Sequence, residues 1–124
     1  MLAHYAAKKR RNALKKVKTA DYTILPKTED MWATFSNLGA TGAITFSLPA
    51  ATVGMGFHFE VEAAQALQID PNGTETIALP STGAQSAAGK YISADAVGER
   101  VTIECKVAGD WNVNSYIGTW TAEV

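Results

Sequence analysis

Residues 55–61, MGFHFEV, and residues 100–107, RVTIECKV, alternate apolar and polar side chains along most of their length. Because successive side chains of a strand point to opposite faces, this alternation predicts two β-strands, each with one face in a core. The side chains predicted to face inward are those of Met55, Phe57, Phe59, Val61, Val101, Ile103, Cys105 and Val107. The fold is therefore expected to be built on half-buried sheets.

Short apolar runs separated by turn-forming residues occupy the rest of the chain from Asp21 onward. One such turn is Asp70-Pro71-Asn72-Gly73, where proline suits the second turn position and glycine tolerates a positive φ. Further strands are predicted at 22–25, 31–35, 43–48, 67–69, 76–79, 91–93, 111–117 and 119–124. About ten short strands at this spacing are typical of a β-sandwich or jelly-roll-like barrel. We therefore predict an all-β fold, a single small domain with its body at residues 19–124.

The first eighteen residues differ from the body in charge and in composition. They hold seven of the eleven basic residues and no acid, whereas the other residues hold four basic residues and all twelve acids. Alanine, leucine, lysine and arginine dominate residues 2–18, without glycine or proline, which favours a helix or a partly disordered arm that orders on a partner. We predict a basic, helical N-terminal arm at residues 1–18. Its predicted partner-binding residues are Leu2, Tyr5, Lys8, Lys9, Arg10, Arg11, Leu14, Lys15, Lys16, Val17 and Lys18.

Residue types that catalyse reactions or bind metals are scattered in the sequence. His4 and His58 match no zinc-binding spacing and are expected to be solvated, as are outward carboxylates such as that of Glu60. Cys105 is the single cysteine, which excludes an internal disulfide, and its inward strand position indicates a structural thiol. We therefore predict that the protein is not an enzyme and uses no cofactor or metal.

The sequence also bears on membrane insertion and targeting. No apolar run approaches the roughly 20 residues that a membrane-spanning helix needs. The positive charges follow residues 2–7, and no apolar run comes after them as it would in a secretory signal. We expect a soluble protein made in a reducing cytoplasm, without a membrane partner.

Two stretches of the body resemble a known family. Residues 39–54 read GATGAITFSLPAATVG, and residues 69–121 read IDPNGTETIALPSTGAQSAAGKYISADAVGERVTIECKVAGDWNVNSYIGTWT. Both are similar to a β module of tailed-bacteriophage structural proteins, found in head-decoration (cement) or head-fibre proteins and at the ends of tail-associated chains. The resemblance implies a virion protein on the capsid surface, made in the host cytoplasm, with the major capsid protein as partner and a homotrimer as its state. It brings no catalytic residues and does not cover the arm.

Three functions are open at this point. The leading hypothesis is a decoration or head-fibre protein whose arm binds acidic capsid surface while the β body projects outward. An alternative is a receptor- or glycan-binding module of a tail or head fibre, using residues 81–89 and exposed aromatics. Trp111 is expected in the core, whereas Trp120 either caps the barrel or packs against a neighbouring subunit. A second alternative is nucleic-acid binding through the arm, which the acidic body opposes by repulsion.

Overall fold

The computed structural model describes residues 14–26 and 30–124, and over these residues the protein is all-β, with eleven strands and no helix. The all-β class predicted from the sequence is confirmed. The strands are β1 (Lys15–Val17), β2 (Tyr22–Thr23), β3 (Thr34–Ser36), β4 (Ile44–Ser47), β5 (Gly56–Glu60), β6 (Leu67–Asp70), β7 (Thr76–Ile77), β8 (Ile92–Ala94), β9 (Arg100–Val107), β10 (Asp110–Ile117) and β11 (Thr121–Ala122).

The strands form two mixed sheets. A six-stranded sheet has the order β1-β3-β5-β9-β10-β7, and a five-stranded sheet has the order β11-β8-β6-β4-β2. From β1 to β8 the chain places successive strands alternately in the two sheets, so that β1, β3 and β5 run parallel, as do β2, β4 and β6. A jelly roll is antiparallel throughout. The strand pattern therefore predicted the sheets but not the direction of their pairings.

Turn residues end the strands where the sequence predicts. After β6 the chain turns at Pro71-Asn72-Gly73, with Gly73 at φ 56° and the Glu75 amide donating to the Asn72 carbonyl at 2.9 Å. β9 and β10 form a hairpin whose turn contains Gly109 at φ 89°, a backbone conformation that glycine adopts without steric cost. The hairpin turn fixes the register of β9 with β10.

The core lies between the two sheets and is rich in aromatic rings. Phe35 of β3 has its ring centroid 5.4 Å from that of Phe46 of β4, so the inner faces of the two sheets are in direct contact. The predicted inward residues Phe57, Phe59, Val61, Val101, Ile103 and Cys105 are all buried, as are Trp111 and Trp120. Burying one phenylalanine side chain stabilises a fold by about 1.5–3 kcal/mol, so this ring cluster contributes much of the stability.

One prediction about a particular residue needs correction, and one open alternative is resolved. Val107 was expected to face inward but is 59% exposed, because it lies at the hairpin end of β9, opposite Asp110 and beyond the covered part of the sheet. Trp120, left open between a cap and a subunit contact, is 2% exposed within the single chain. Its indole Nε1 donates to the carbonyls of Arg100 and Ile117 at 3.2 and 3.3 Å, which fixes the chain end against the core.

The helix predicted for the basic segment is wrong over residues 15–17, which form strand β1. β1 pairs in parallel with β3, and on either side of it the Thr34 amide donates to the Leu14 carbonyl and the Lys18 amide to the Ser36 carbonyl, both at 2.9 Å. Helix propensity is a weak preference of less than about 1 kcal/mol per residue, which ladder bonds and side-chain contacts readily exceed. Residues 1–13 lie outside the described part of the chain.

Candidate functional site

The partner-binding residues predicted from the sequence divide into two groups. Leu2, Tyr5, Lys8, Lys9, Arg10 and Arg11 lie outside the described residues, whereas Leu14, Lys15, Lys16, Val17 and Lys18 are described. Leu14 packs against the core, and Val17 is 45% exposed. The described residues therefore belong to an edge strand of the six-stranded sheet and to its flanks.

The three described lysines of this segment each contact a group of the body. The Lys16 Nζ lies 2.8 Å from the Asp30 Oδ1, and the Lys15 Nζ lies 2.7 Å from the Glu62 Oε1. The Lys18 Nζ lies 3.9 Å from the centre of the Tyr22 ring, a cation–π contact. Each of these three ammonium groups therefore interacts with a carboxylate or an aromatic ring of the same chain.

Asp30 is the buried centre of these contacts. Its side chain is fully buried, and its Oδ2 accepts hydrogen bonds from the Tyr22 hydroxyl at 2.6 Å and from the Leu25 amide at 2.8 Å. Burial acts to raise the pKa of Asp30, but hydrogen bonds from Lys16, Tyr22 and Leu25 outweigh it and lower that pKa. The same hydrogen bond, with burial, raises the pKa of Tyr22 to about 12. A carboxylate held in this way links β1 to β2 across the two sheets.

Asn37 is a second buried polar residue that the sequence pattern did not reveal. Its Oδ1 accepts from the amides of Glu62 and Ala63 at 2.8 and 3.0 Å, and its Nδ2 donates to the carbonyls of Ala63 and Gln65 at 3.2 and 3.1 Å. These four bonds satisfy backbone groups of the segment between β5 and β6. Asn37 therefore fixes the connection next to Glu62, the partner of Lys15.

A groove of about 490 Å³ lies on the outer face of the six-stranded sheet. It crosses β3, β5, β9 and β10, which are neighbours in the sheet. The side chains of two exposed residues, Tyr116 and Ile117, line it. Its other outward lining residues are Thr34, His58, Glu60, Arg100, Thr102 and Ser115. Alternation alone predicts the outward face for most of these residues, but grouping them requires the pairing of β5 with β9 and of β9 with β10.

Beside this groove, the Trp32 indole packs against Gly56 and lies next to the ring of His58. Trp32 has φ 58°, the only non-glycine residue with positive φ in the described chain, and its amide donates to the Gly56 carbonyl at 2.8 Å. A Cβ on Gly56 would lie 2.0 Å from the Trp32 Cη2, so the indole lies against this glycine. The Trp32 and His58 ring centroids are 5.8 Å apart. Strained backbone of this kind costs about 1–3 kcal/mol and is commonest at functional sites.

His58 is half-buried, whereas the sequence predicted a solvated ring. Its Nδ1 lies 2.8 Å from the Thr102 Oγ1 on the neighbouring strand. Burial lowers the pKa of His58 below its ordinary value, so the ring is neutral at pH 7. A neutral imidazole can both donate and accept hydrogen bonds.

Within residues 14–26 and 30–124, the structure shows no metal site, no activated cysteine and no membrane-spanning helix. No group of three or more His, Cys, Asp or Glu residues there is arranged to hold a metal ion. Burial, with the carboxylates of Glu75 and Asp110, raises the pKa of the Cys105 thiol, which favours the unreactive protonated form. The same residues contain no helix that is long and apolar enough to cross a membrane.

The loop at residues 81–89, predicted as a possible receptor-binding loop, is folded against β7. The Leu79 amide donates to the Ala84 carbonyl at 2.8 Å, and the Ser86 amide to the Ile77 carbonyl at 2.9 Å. Of the C-terminal aromatics, Tyr116 is 43% exposed, whereas both tryptophans are buried.

No protein-family model matches this chain, and no curated protein was found to be similar to it.

Proposed function

We propose that this chain is a non-enzymatic structural protein of a tailed-phage virion, a head-decoration (cement) or head-fibre protein that binds the outside of the capsid. The N-terminal segment is the anchor on the major capsid protein, and the body, a β-sandwich, projects outward. The resemblance of residues 39–54 and 69–121 supports the phage setting. Those stretches include β4 and the strands from β7 to β11, so the likeness concerns the body.

The observation that carries the anchoring role is the division of charge at β1. Lys15, Lys16 and Lys18 are engaged by the body, so we assign the contact with the capsid to Lys8, Lys9, Arg10 and Arg11, the other basic residues of the segment. Residues 1–13 hold no acid, whereas residues 14–124 hold seven basic residues against twelve acids. A basic segment on an acidic body orients toward acidic protein surface, and the body repels a nucleic acid.

Assembly as a homotrimer belongs to the same proposal and is supported by the free edge of β10. β7 pairs only with Asp110 and Trp111 of this eight-residue strand. Beyond them, no strand of the described residues pairs with this edge of β10. Unpaired strand edges are ready templates for pairing with another chain. Light scattering should therefore give three times the chain mass of 13.2 kDa, and a monomer at micromolar concentration would contradict the trimer.

The anchoring role is tested by co-sedimentation with intact phage heads. One variant changes Lys8, Lys9 and Arg10 to Ser, and a matched control changes Lys27, Lys90 and Lys106 to Ser, which removes the same charge from the body. We expect the first variant to lose binding and the control to retain it. Binding of the wild type should weaken as salt rises, since exposed charges are screened over about 8 Å at physiological ionic strength. Equal binding by both variants would overturn the anchoring role.

The nucleic-acid alternative is tested with the same proteins. Each is titrated with double-stranded DNA at low and physiological salt. We expect binding to heads to persist at salt concentrations that abolish binding to DNA, because the acidic body repels the polyanion. Tighter binding to DNA than to heads at physiological salt would favour the alternative function.

A further inference from the structure

The groove on the outer face of the six-stranded sheet has no place in the anchoring function. None of the described arm residues, from Leu14 to Lys18, lines it. Its volume of about 490 Å³ lies within the range of small-molecule sites, which is about 300–1,000 Å³. The groove is therefore large enough to hold a small ligand on the body itself.

The strand that borders the groove on one side is distorted. The register of β10 with β9 shifts between Asp110 and Asn112 and again between Val113 and Ser115. Such irregularities bend a strand and redirect its side chains, and they are over-represented beside binding sites. The second shift lies next to Ser115, which lines the groove and pairs with Thr102.

Glu60 and Arg100 supply one charge of each sign to the groove. They lie directly opposite each other in the register of β5 and β9. Among the described residues, no ion pair within 4 Å engages the Glu60 carboxylate or the Arg100 guanidinium. The Lys15 ammonium, paired with Glu62, attracts the Glu60 carboxylate at longer range. The groove thus offers a carboxylate acceptor and a five-donor guanidinium with no net charge.

The other polar groups in the groove are neutral. Thr34, Thr102, Ser115 and Tyr116 carry hydroxyls, and the half-buried His58 ring is uncharged at pH 7. An anion in the groove would meet the Glu60 carboxylate, and a cation would meet the Arg100 guanidinium. A neutral ligand rich in hydroxyls can donate hydrogen bonds to the Glu60 carboxylate and accept them from the Arg100 guanidinium.

We propose that this groove binds a neutral saccharide. Sugar hydroxyls are donors and acceptors at once, which matches the alternating donors and acceptors of the lining. Hydrogen bonds to charged groups are stronger than those between neutral groups, so Glu60 and Arg100 supply most of the affinity. Trp32 packs against Gly56 and supports the ring of His58, which lines the groove, in advance of binding.

The test is an immobilised array of neutral and acidic glycans, followed by calorimetric titration of the full-length protein with the best neutral glycan. The variants are Glu60→Gln and Arg100→Gln, which keep side-chain size nearly constant, and Lys90→Gln is a control outside the groove. Thermal melting establishes that each variant is folded. We expect each groove variant to weaken binding about tenfold or more, and the control to match the wild type.

Three results would overturn this proposal. These are the absence of any bound neutral glycan, a glycan affinity that both groove variants leave unchanged, and a consistent preference for acidic glycans. Binding of the groove variants to phage heads should match the wild type, because the anchor is a different part of the chain. Loss of glycan binding with retained head binding separates this site from the anchoring role.

Discussion

The Lys16 ammonium lies 2.8 Å from the Oδ1 of Asp30, a carboxylate that is fully buried between the two sheets. This ion pair joins the basic segment to the body and explains why the segment ends in a strand. The neighbouring pair of Lys15 and Glu62 is just as short at 2.7 Å, but both of its side chains are partly exposed. The two lysines therefore provide a matched comparison within one strand.

We expect Lys16→Ala to destabilise the fold by about 2–4 kcal/mol, because it leaves a buried carboxylate without its cation. Lys15→Ala should cost less than about 1 kcal/mol, since water screens the exposed pair that it breaks. Urea unfolding of the two variants measures the difference. Equal costs would mean that the Asp30 site does not depend on Lys16.

The pH dependence of stability should reflect the pair of Tyr22 and Asp30. The pKa of Asp30 is lowered in the folded chain from 3.8, so its contribution is present above that pH and is lost as pH falls through the folded value. The pKa of Tyr22 rises from 10.0 to about 12, so its contribution is present below pH 10.0 and is lost as pH rises toward about 12. Urea unfolding across this range, repeated with Tyr22→Phe, should show a flatter alkaline limb for the variant. An identical alkaline limb would contradict the assignment.

Asn37→Ala should destabilise the fold by about 2–3 kcal/mol, because it leaves partly buried backbone groups of Glu62, Ala63 and Gln65 without their side-chain partner. Asn114 is a suitable control, since it is exposed and makes one hydrogen bond, to Glu104 at 2.9 Å. Asn114→Ala should stay within about 1 kcal/mol. Thermal melting of the two variants checks the prediction, and similar transition temperatures would refute it.

Gly56→Ala should displace the Trp32 indole, because the new Cβ would lie 2.0 Å from its Cη2. We expect a loss of about 1–3 kcal/mol, as is usual for overpacking, together with a shift in tryptophan fluorescence. Gly42 is the control, since a Cβ there meets nothing within 4 Å and its φ is not positive. Unchanged fluorescence in Gly56→Ala would show that the indole does not depend on this glycine.

Sequence patterns predicted the parts of this fold that local alternation determines. β9 was predicted with its observed bounds, because its eight residues alternate without interruption and a hairpin turn follows. β1 was not predicted, because what stabilises it is a ladder with β3 and the contact of Lys16 with Asp30, and no local pattern reveals contacts so distant in sequence. The parallel pairings escaped prediction for the same reason.

The candidate site shows the same limit. The outward direction of His58, Glu60 and Thr102 follows from alternation, so the polar face could be predicted. The groove itself depends on which strands are neighbours and on the two register shifts in β10. The positive φ of Trp32 has no sequence signal, because bulky residues rarely adopt it.

The central claim, that the basic N-terminal residues anchor a body that folds without them, is tested most directly by deleting residues 1–13 and measuring co-sedimentation with phage heads. The deletion leaves β1, Lys16 and Asp30 in place, so the cooperative thermal transition should match that of the full chain. Deleting residues 1–18 instead should lower the transition temperature by several degrees, since it removes β1 and the partner of Asp30. We predict that the protein lacking residues 1–13 is folded and no longer binds heads at low salt. A folded protein that lacks these residues and binds heads as tightly as the full chain would contradict the account.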